Sequence, residues 1–430
     1  MSIELTPLGN SCNLACSYCY QTPMKDADPA LPSFDVEAMK RGLLDAKPGA
    51  SGFTLFGGEA LLVPLDVLEE MWRWGFERYG QNGVQTNGTL ITAAHLELFQ
   101  RYKVHVGVSL DGPCALNDAR WAGSLEKTRL MTERSEGALR RLCAAGIKPS
   151  LIVTLNQYNA SRLRLPLLIE WLESLALLGI EHVNFHSLEV DHALVGEHLA
   201  LSHDELIHAY LTLAALRLPM KFEPFEHMKQ LLLGNDQHAS CVWHACDPYT
   251  TAAVQGVDGH GEATNCGRTN KEGVSWRKPT DVGFYRQLAL YDAPQADGGC
   301  QGCRFFLMCK GQCPGEAIDG DWRNKTEKCG VWMALFAAFE QQLVQAGQHP
   351  LSLASNRLAV EQQMLEAWAT GYNSSVAAAI RASDSSRADH LPVAALHGDV
   401  PHGDEHGDHY DYSGEDYSGE AIDKAGANVT

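Results

Sequence analysis

The stretch Cys12-Asn13-Leu14-Ala15-Cys16-Ser17-Tyr18-Cys19-Tyr20 comes directly after the first apolar run of the chain, and its cysteines have the spacing C-x3-C-x2-C. Three thiolates are one short of the four that hold an ordinary [4Fe–4S] cluster. An iron without a protein ligand can bind another molecule, as a catalytic zinc ion does at its open position. The stretch therefore predicts a cluster with one open site. A structural zinc site is the alternative, but it leaves the missing fourth ligand unexplained.

Short apolar runs alternate with amphipathic stretches from residue 2 to about residue 200. Strands that alternate with helices form parallel βα units, whose functional groups lie at the C-terminal ends of the strands. Six units are too few for a closed eight-fold barrel, so we predict an α/β fold with a partial (β/α)6 barrel. The predicted strands are 3–8, 52–56, 83–86, 104–110, 150–155 and 182–188, and the predicted helices are 34–46, 64–79, 92–102, 129–145 and 160–178.

A second group of cysteines lies in a Gly- and Cys-rich segment with little periodicity, from about residue 236 to residue 330. Such a segment buries too little apolar surface to fold alone, so we expect metal sites to stabilise it. The spacing by itself leaves two structural zinc sites as an alternative. Eight cysteines suffice for two complete four-ligand sets: Cys241, Cys246, Cys266, Cys300, Cys303, Cys309, Cys313 and Cys329. The two remaining cysteines, Cys114 and Cys143, are expected to be buried apolar residues.

The bulk composition excludes several classes of protein. The 430 residues carry a formal net charge of −19, which argues against a nucleic-acid partner because such affinity rests largely on Lys and Arg. No run of about 18 apolar residues predicts a membrane span. The start, MSIELTPLGNSCN, has neither the basic residues nor the apolar core of a signal peptide. We therefore expect a cytoplasmic protein, and clustered cysteines in a reducing compartment are more often metal ligands than disulfides.

The first cysteine stretch resembles the signature of the radical S-adenosylmethionine (SAM) superfamily. In that family the open iron binds the amino and carboxylate groups of SAM, whose cleavage yields a 5′-deoxyadenosyl radical that abstracts a hydrogen atom from substrate. The resemblance continues in Gly57-Gly58-Glu59, in Gln85-Thr86-Asn87-Gly88 and in Ser109-Leu110-Asp111-Gly112, which end the second, third and fourth predicted strands. Ala60 replaces the proline that usually follows the GGE element.

The resemblance implies roles for seven residues in binding SAM. Tyr18 falls where the family places an aromatic residue beside the adenine. Gly57, Gly58 and Glu59 would hold the methionine ammonium, Ser109 its carboxylate, and Asn87 the ribose. Arg120 is either a second partner of the carboxylate or a surface charge.

The later cysteines resemble the SPASM extension of radical SAM enzymes that modify peptides. By that resemblance one auxiliary cluster has the ligands Cys241, Cys246, Cys266 and Cys313, and the other has the ligands Cys300, Cys303, Cys309 and Cys329. Together with Cys12, Cys16 and Cys19, the chain would hold three [4Fe–4S] clusters in addition to SAM. The interleaved ligands would make the stability of the segment depend on both auxiliary clusters.

The resemblance implies a maturase that oxidises or crosslinks a peptide or protein side chain through a C–C, C–O or thioether bond. A formylglycine-generating maturase of the sulfatase type is an alternative, but such enzymes have an acidic residue directly after the third auxiliary cysteine, where this chain has Gly267-Arg268. A non-catalytic iron–sulfur electron carrier is the alternative from another class. The partners implied are the peptide substrate, a flavodoxin- or ferredoxin-type electron donor, and a separate leader-binding protein, since only eleven residues precede Cys12.

We divide the chain into a radical SAM barrel at 1–235, a SPASM domain at 236–349, a helical segment at 350–383 and a disordered tail at 384–430. Residues 200–235, 331–349 and 356–382 are predicted to be helical. From residue 390 onward the tail has nine acidic residues against one lysine, five histidines and two DYSGE repeats, a composition typical of disorder. It is an acidic solubilising tail or a weak metal-binding tract, or a substrate segment through Tyr410, Tyr412 and Tyr417.

Overall fold

The computed structural model describes residues 3–21, 32–46, 50–190, 197–237, 239, 241–247, 255–270 and 283–388. The chain divides into two units, Met1–Arg387 and Ala388–Thr430. Apart from Ala388, the second unit lies outside the described residues. Residues 384–388 of the predicted tail are described, and the rest of it, with its three tyrosines, lies outside the described residues. No helix within the described ranges has both the length and the apolar character needed to cross a membrane.

One sheet of nine strands forms the centre of the first unit, in the order β7-β6-β5-β4-β3-β2-β1-β8-β9. All neighbouring pairs are parallel except β8 and β9. The six predicted strands are all present and paired in chain order, so the α/β prediction is confirmed. The strands are β1 (Ile3–Thr6), β2 (Phe53–Leu55), β3 (Asn82–Thr86), β4 (Val104–Ser109), β5 (Ser150–Leu155), β6 (His182–Ser187), β7 (Lys221–Glu223), β8 (Gly256–Asp258) and β9 (Ala263–Thr264).

Five helices connect the first six strands, at the positions that the sequence predicts. They are α1 (Val36–Ala46), α2 (Leu65–Tyr79), α3 (Ala93–Arg101), α4 (Leu125–Ala144) and α5 (Leu165–Leu177). Their apolar faces pack on one face of the sheet, as in α2, where Leu68, Met71 and Trp72 are buried. The Trp72 ring meets Phe99 of α3 edge-on at 5.3 Å. Because this face is covered by helices, the opposite face is left to line the interior of the partial barrel.

The prediction of one helix over residues 200–235 is wrong for the middle of that range. Two helices, α6 (His203–Ala214) and α7 (Phe225–Leu232), flank the short strand β7. Pro219 and Pro224 stand on either side of β7, and proline inside a helix removes a hydrogen bond and clashes with the preceding turn. The helix therefore stops, and the chain adds a seventh parallel strand to the sheet.

The cysteine-rich segment joins the barrel sheet through β8, which pairs with β1. Its helices are α8 (Gly267–Asn270), α9 (Tyr285–Asp292) and α10 (Phe306–Cys309), and the C-terminal helices are α11 (Cys329–Gln345), α12 (Arg357–Ala369) and α13 (Val376–Ala388). The predicted helix at 356–382 is thus two helices, and the last one continues to Ala388 instead of ending at residue 383. Aromatic contacts fix α11 on α6 and α7, with Tyr210–Trp332 at 6.0 Å and Phe225–Phe339 at 5.8 Å between ring centroids.

The two isolated cysteines do not behave as predicted. Cys114 is exposed, and Cys143 is half-buried. Cys114 begins a short helical turn with a φ of 47°, and this turn on the outside of the barrel presents the thiol to solvent. Neither thiol belongs to a cysteine cluster.

Candidate active site

One cavity of about 220 Å³ lies at the C-terminal ends of β1 to β6, and we call it the cofactor cavity. It brings together residues that the sequence spreads over more than a hundred positions. Nine of the predicted site residues line it: Cys12, Cys16, Tyr18, Cys19, Gly57, Gly58, Asn87, Ser109 and Arg120. The C-terminal strand ends are therefore where the predicted groups converge, as expected for parallel βα units.

Gly57 and Gly58 bring the end of β2 against the loop that carries the first cysteines. The Gly58 amide donates to the Gly9 carbonyl at 3.0 Å, and the next amide, that of Glu59, donates to Ser11 at 2.8 Å. A Cβ on Gly58 would lie 2.1 Å from the Ser11 carbonyl oxygen. Gly57 has a φ of 122°, which side chains with a Cβ rarely adopt. Glycine is thus required at both positions for the close approach of the two backbones.

Glu59 lies behind the cavity wall instead of lining it. Its carboxylate accepts hydrogen bonds from the Leu61 amide at 3.0 Å, the Thr86 hydroxyl at 2.6 Å and the Asn87 amide at 2.7 Å. Burial raises the pKa of this carboxyl, and the three hydrogen bonds oppose that shift. In this arrangement the carboxylate fixes the end of β3, and the backbone of Gly57 and Gly58 is what faces the cavity.

Asn87 and Ser109 already have polar partners. The Asn87 amide nitrogen donates to Asn13 at 2.8 Å and lies 3.9 Å from the Cys12 sulfur, while its oxygen accepts from the Thr89 hydroxyl at 2.6 Å. The Ser109 hydroxyl accepts from the Gln85 amide at 2.8 Å, which leaves its own proton available to donate. The arrangement makes Asn87 a support of the cysteine loop and leaves Ser109 a donor toward the cavity.

Asp111 is a site residue that the sequence reasoning missed, although its motif was recognised. It is fully buried, and its carboxylate accepts from the Tyr18 hydroxyl at 2.5 Å and from the Thr154 amide at 2.9 Å. Arg120 Nε lies 3.2 Å from the same carboxylate, and the guanidinium lies 5.8 Å from the centre of the Tyr18 ring. Burial lowers the pKa of Arg120, but the charges of Asp111, Tyr18 and Cys16 together raise it above its usual value. Arg120 is 8% exposed, so it is a buried cation and not a surface charge.

The cofactor cavity is also lined by three residues that the sequence reasoning did not assign: His186, Glu189 and Arg268. Glu189 is buried and forms an ion pair with Arg268, whose guanidinium lies 3.5 Å from His186 Nδ1. Burial, together with Arg268 and Arg120, lowers the pKa of His186 to about 3. The imidazole is therefore neutral at physiological pH. The only signal in the sequence was Arg268 itself, at the place where an acidic residue was sought.

The structure groups the later cysteines into the two sets that the resemblance implies. Burial raises the pKa of Cys241, and the neighbouring thiolates of Cys246, Cys313 and Cys266 raise it further. Burial likewise raises the pKa of Cys309, and the thiolates of Cys300, Cys329 and Cys303 raise it further. These four cysteines line a small cavity together with apolar side chains. Cys313 thus lies with the group of Cys241 and not with the group of Cys309 that precedes it in sequence.

The chemistry of these donors fits a bound metal group. Burial raises the pKa of Cys16, Cys300 and Cys313 to about 12, and a buried thiolate requires a cation beside it. Within the described part of the chain, no group of three or more His, Cys, Asp or Glu side chains is arranged for a single metal ion. The four thiols of each later set are the number of ligands that a complete [4Fe–4S] cluster takes.

Comparison with known proteins agrees with this site. Residues 6–165, which contain β2 to β5 and the loop of the first three cysteines, match the model of the Radical SAM superfamily. The serine-type anaerobic sulfatase-maturating enzyme of Klebsiella aerogenes is 36% identical over 129 residues, which cover 27% of this chain and 31% of that protein. The cysteine-type enzyme of Clostridium perfringens is 29% identical over 124 residues, which cover 26% and 33%. The chain therefore spans about a third of the length of these curated relatives.

Solved structures show that the fold extends further than the sequence similarity. The structure of anSMEcpe with bound AdoMet and Cp18Cys peptide has a TM-score of 0.59 at 17% identity and covers 80% of this chain and 98% of that one. Streptococcus suis SuiB bound to S-adenosylmethionine has a TM-score of 0.51 at 15% identity, covering 76% and 77%. At these identities the likeness shows a shared fold. The part of the chain that matches the Radical SAM superfamily, residues 6–165, carries the three-cysteine loop and much of the wall of the cofactor cavity.

Proposed function

We propose that this chain is a radical SAM maturase that oxidises or crosslinks a side chain of a peptide or protein. The observation that carries the proposal is the cofactor cavity, where three cysteines, a glycine-lined backbone and the Ser109 hydroxyl surround one space. An electron carrier needs no such space beside its cluster, because no substrate has to approach the metal. The cavity thus favours an enzyme over the non-catalytic alternative.

The residues of the cavity have distinct tasks in this proposal. When bound at a cluster with an open iron, SAM supplies a 5′-deoxyadenosyl radical that abstracts a hydrogen atom. Cys12, Cys16 and Cys19 would hold that cluster. The backbone of Gly57 and Gly58 would accept from the methionine ammonium. Ser109 and Arg120 would donate to the methionine carboxylate, which suits one hydroxyl proton and one buried cation. Tyr18, fixed by Asp111, would contact the adenine.

The cysteine-rich segment would hold two auxiliary [4Fe–4S] clusters, one for each four-cysteine set. Complete cysteine ligation leaves no position for substrate, so these clusters would carry electrons or shape the substrate site. An external flavodoxin- or ferredoxin-type protein would supply the electron for the cleavage of SAM.

The reaction proposed is a side-chain crosslink or oxidation, with C–C, C–O and thioether bonds as its possible products. Several relatives are named for maturing sulfatases, which makes formylglycine formation the second candidate. In this chain Cys266 is followed by Gly267 and the cation Arg268, and the carboxylate in this part of the cavity wall, that of Glu189, forms an ion pair with Arg268. The chain therefore has no acidic residue directly after Cys266, which favours the first candidate.

The experiment that tests the proposal is anaerobic reconstitution followed by incubation with SAM and dithionite. We expect about twelve irons per chain and the formation of 5′-deoxyadenosine. The triple variant Cys12→Ala/Cys16→Ala/Cys19→Ala should lose about four irons and all cleavage of SAM. The control is Cys114→Ala/Cys143→Ala, which removes the two thiols outside the clusters. This variant should keep both the wild-type iron content and the cleavage of SAM. Wild-type protein that binds zinc and negligible iron would refute the proposal.

A further inference from the structure

Arg286 is a fully buried cation in the cysteine-rich segment. It stands in the first turn of α9, and its side chain has no exposed surface. A guanidinium has five N–H donors, and here main-chain carbonyls accept from all five, so no donor is left for a carboxylate. The acceptors are the carbonyls of Trp322 at 2.6 Å, Asn324 at 2.9 Å, Cys246 at 3.3 Å, Gly311 at 3.3 Å and Lys310 at 3.4 Å.

These hydrogen bonds tie together the loops of both auxiliary cysteine sets. We call the set that contains Cys246 the first set, and the set that contains Cys309 the second set. Arg286 binds the main-chain carbonyl of Cys246 itself. It also binds the carbonyls of Lys310 and Gly311, the two residues that follow Cys309 in sequence. One side chain therefore contacts the ligand loops of both sets.

The negative groups around this cation include thiolates of both sets. Burial lowers the pKa of Arg286, and three thiolates and one carboxylate oppose that shift. They belong to Cys246 and Cys313 of the first set, to Cys300 of the second set, and to Asp247. A buried cation is costly unless negative charge compensates it. The thiolates of the two sets can supply that compensation.

A fixed positive charge beside an iron–sulfur cluster stabilises its reduced state. Reduction adds one negative charge to the cluster, and the attraction between opposite charges is stronger in a buried site than in water. The net charge and the solvent exposure of the surroundings are among the factors that set the potential of such a cluster. An arginine side chain does not lose its proton in proteins, so this charge is constant.

We propose that Arg286 is the shared counter-cation of the two auxiliary clusters and raises the reduction potential of both. The inference rests on the proposed function, which places those clusters at the two cysteine sets. Each cluster then takes up one electron more readily, and no bond forms or breaks in that step. A tuned potential matters only to a cluster that exchanges electrons, so the inference favours electron transfer over a purely structural role for this segment.

The test is a redox titration of the auxiliary clusters, followed by electron paramagnetic resonance. The full-length chain carries Cys12→Ala/Cys16→Ala/Cys19→Ala, so that after anaerobic reconstitution the signals come from the auxiliary clusters alone. Adding Arg286→Gln should lower both potentials. At a fixed solution potential the ratio of reduced to oxidised cluster should then fall roughly 10-fold or more, and a tenfold change corresponds to about 59 mV for one electron.

Two further variants separate the charge from the hydrogen bonds. Arg286→Lys keeps the positive charge, which the neighbouring thiolates favour, but an ammonium group has only three donors. It should keep the iron content and both potentials, while its thermal midpoint falls. Arg323→Gln is the matched control, because it removes one positive charge from the same segment. The Arg323 side chain is 63% exposed and pairs with Asp321, so its loss should leave both potentials unchanged.

Full auxiliary iron with unchanged potentials in Arg286→Gln would overturn the inference, and so would lowered potentials in Arg286→Lys. If Arg286→Gln loses auxiliary iron, the lysine variant decides. Iron content and potentials equal to those of the parent chain support the charge as the cause, whereas loss of iron from this variant too would overturn it. A parent chain without auxiliary iron would overturn the proposed clusters and the inference together. Failure of the inference alone is distinguished by full iron content in the parent chain.

Discussion

Gly58→Ala perturbs the point where the end of β2 meets the cysteine loop. The new Cβ would lie 2.1 Å from the Ser11 carbonyl oxygen and 2.4 Å from that of Asn10, whereas Cβ atoms essentially never come within 3.0 Å of another heavy atom. Both neighbours are backbone atoms, so no side chain can rotate away. The two segments must separate by about 1 Å, as overpacking in a close-packed interior forces backbone shifts.

The displaced segment leads directly into Cys12, so the shift moves the cysteine loop relative to the rest of the cavity. A displacement of about 1 Å at a reacting centre lowers a rate roughly 100-fold, and overpacking costs about 1–3 kcal/mol of stability. We therefore expect the rate of 5′-deoxyadenosine formation to fall about 100-fold while the protein remains folded.

The assay compares that rate, the iron content and the thermal midpoint in Gly58→Ala, wild type and Gly137→Ala. Gly137 lies within α4, and a Cβ there would meet only the flexible end of Arg141, at 3.2 Å. The control should keep the wild-type rate and gain up to about 1 kcal/mol from helix propensity. A wild-type rate in Gly58→Ala would refute the close approach of the two backbones as the reason for the glycine.

Two further substitutions test carboxylates of the barrel. Glu59→Gln leaves the Asn87 amide without its charged acceptor, so the dissociation constant of SAM should rise roughly 10-fold with unchanged iron content; an unchanged constant would show that Glu59 does not support the site. Glu4 alternates with the core residues Ile3 and Leu5, and burial raises the pKa of its carboxyl to about 7. A raised pKa means that the associated stability is complete below about pH 4.5 and is lost as the pH rises through about 7. Glu4→Gln should therefore raise the unfolding free energy by up to about 3 kcal/mol at pH 8 and progressively less toward pH 5, and a pH-independent difference would contradict this assignment.

The barrel could be predicted because its elements are encoded locally. Each of the first six strands is an apolar run next to an amphipathic helix, and every one of them appears within two or three residues of the predicted bounds. Strands β7 and β8 could not be predicted in the same way. Neither is an apolar run, since each has one apolar residue in three, Phe222 in β7 and Val257 in β8, and β8 gains its place from pairing with β1, far away in sequence. Short strands of this kind are specified by tertiary contacts more than by their own composition.

The residues of the candidate site divide in the same way, into those that stand in a local motif and those that only the fold brings together. The cysteines, the two glycines and Ser109 were predicted because each stands in a compact motif at a strand end. Asp111 stands in one of those motifs, but its importance comes from Arg120 and Tyr18, which approach it from other loops. The Arg268–Glu189 pair joins the end of β6 to the cysteine-rich segment. Pairings across such separations leave no periodic or local signal in a single sequence.

The pairing of β8 with β1 bears on how the chain folds during synthesis. Thr6 donates a hydrogen bond to Val257, 251 residues further along the chain. At about 5–20 residues per second, a ribosome needs roughly 10–50 s to make that stretch. Throughout this interval the edge of β1 is an unpaired strand, which is a template for association with other chains. Until β8 pairs with β1, the nascent barrel avoids aggregation only if a chaperone covers the edge of β1 or the cysteine-rich segment is completed rapidly.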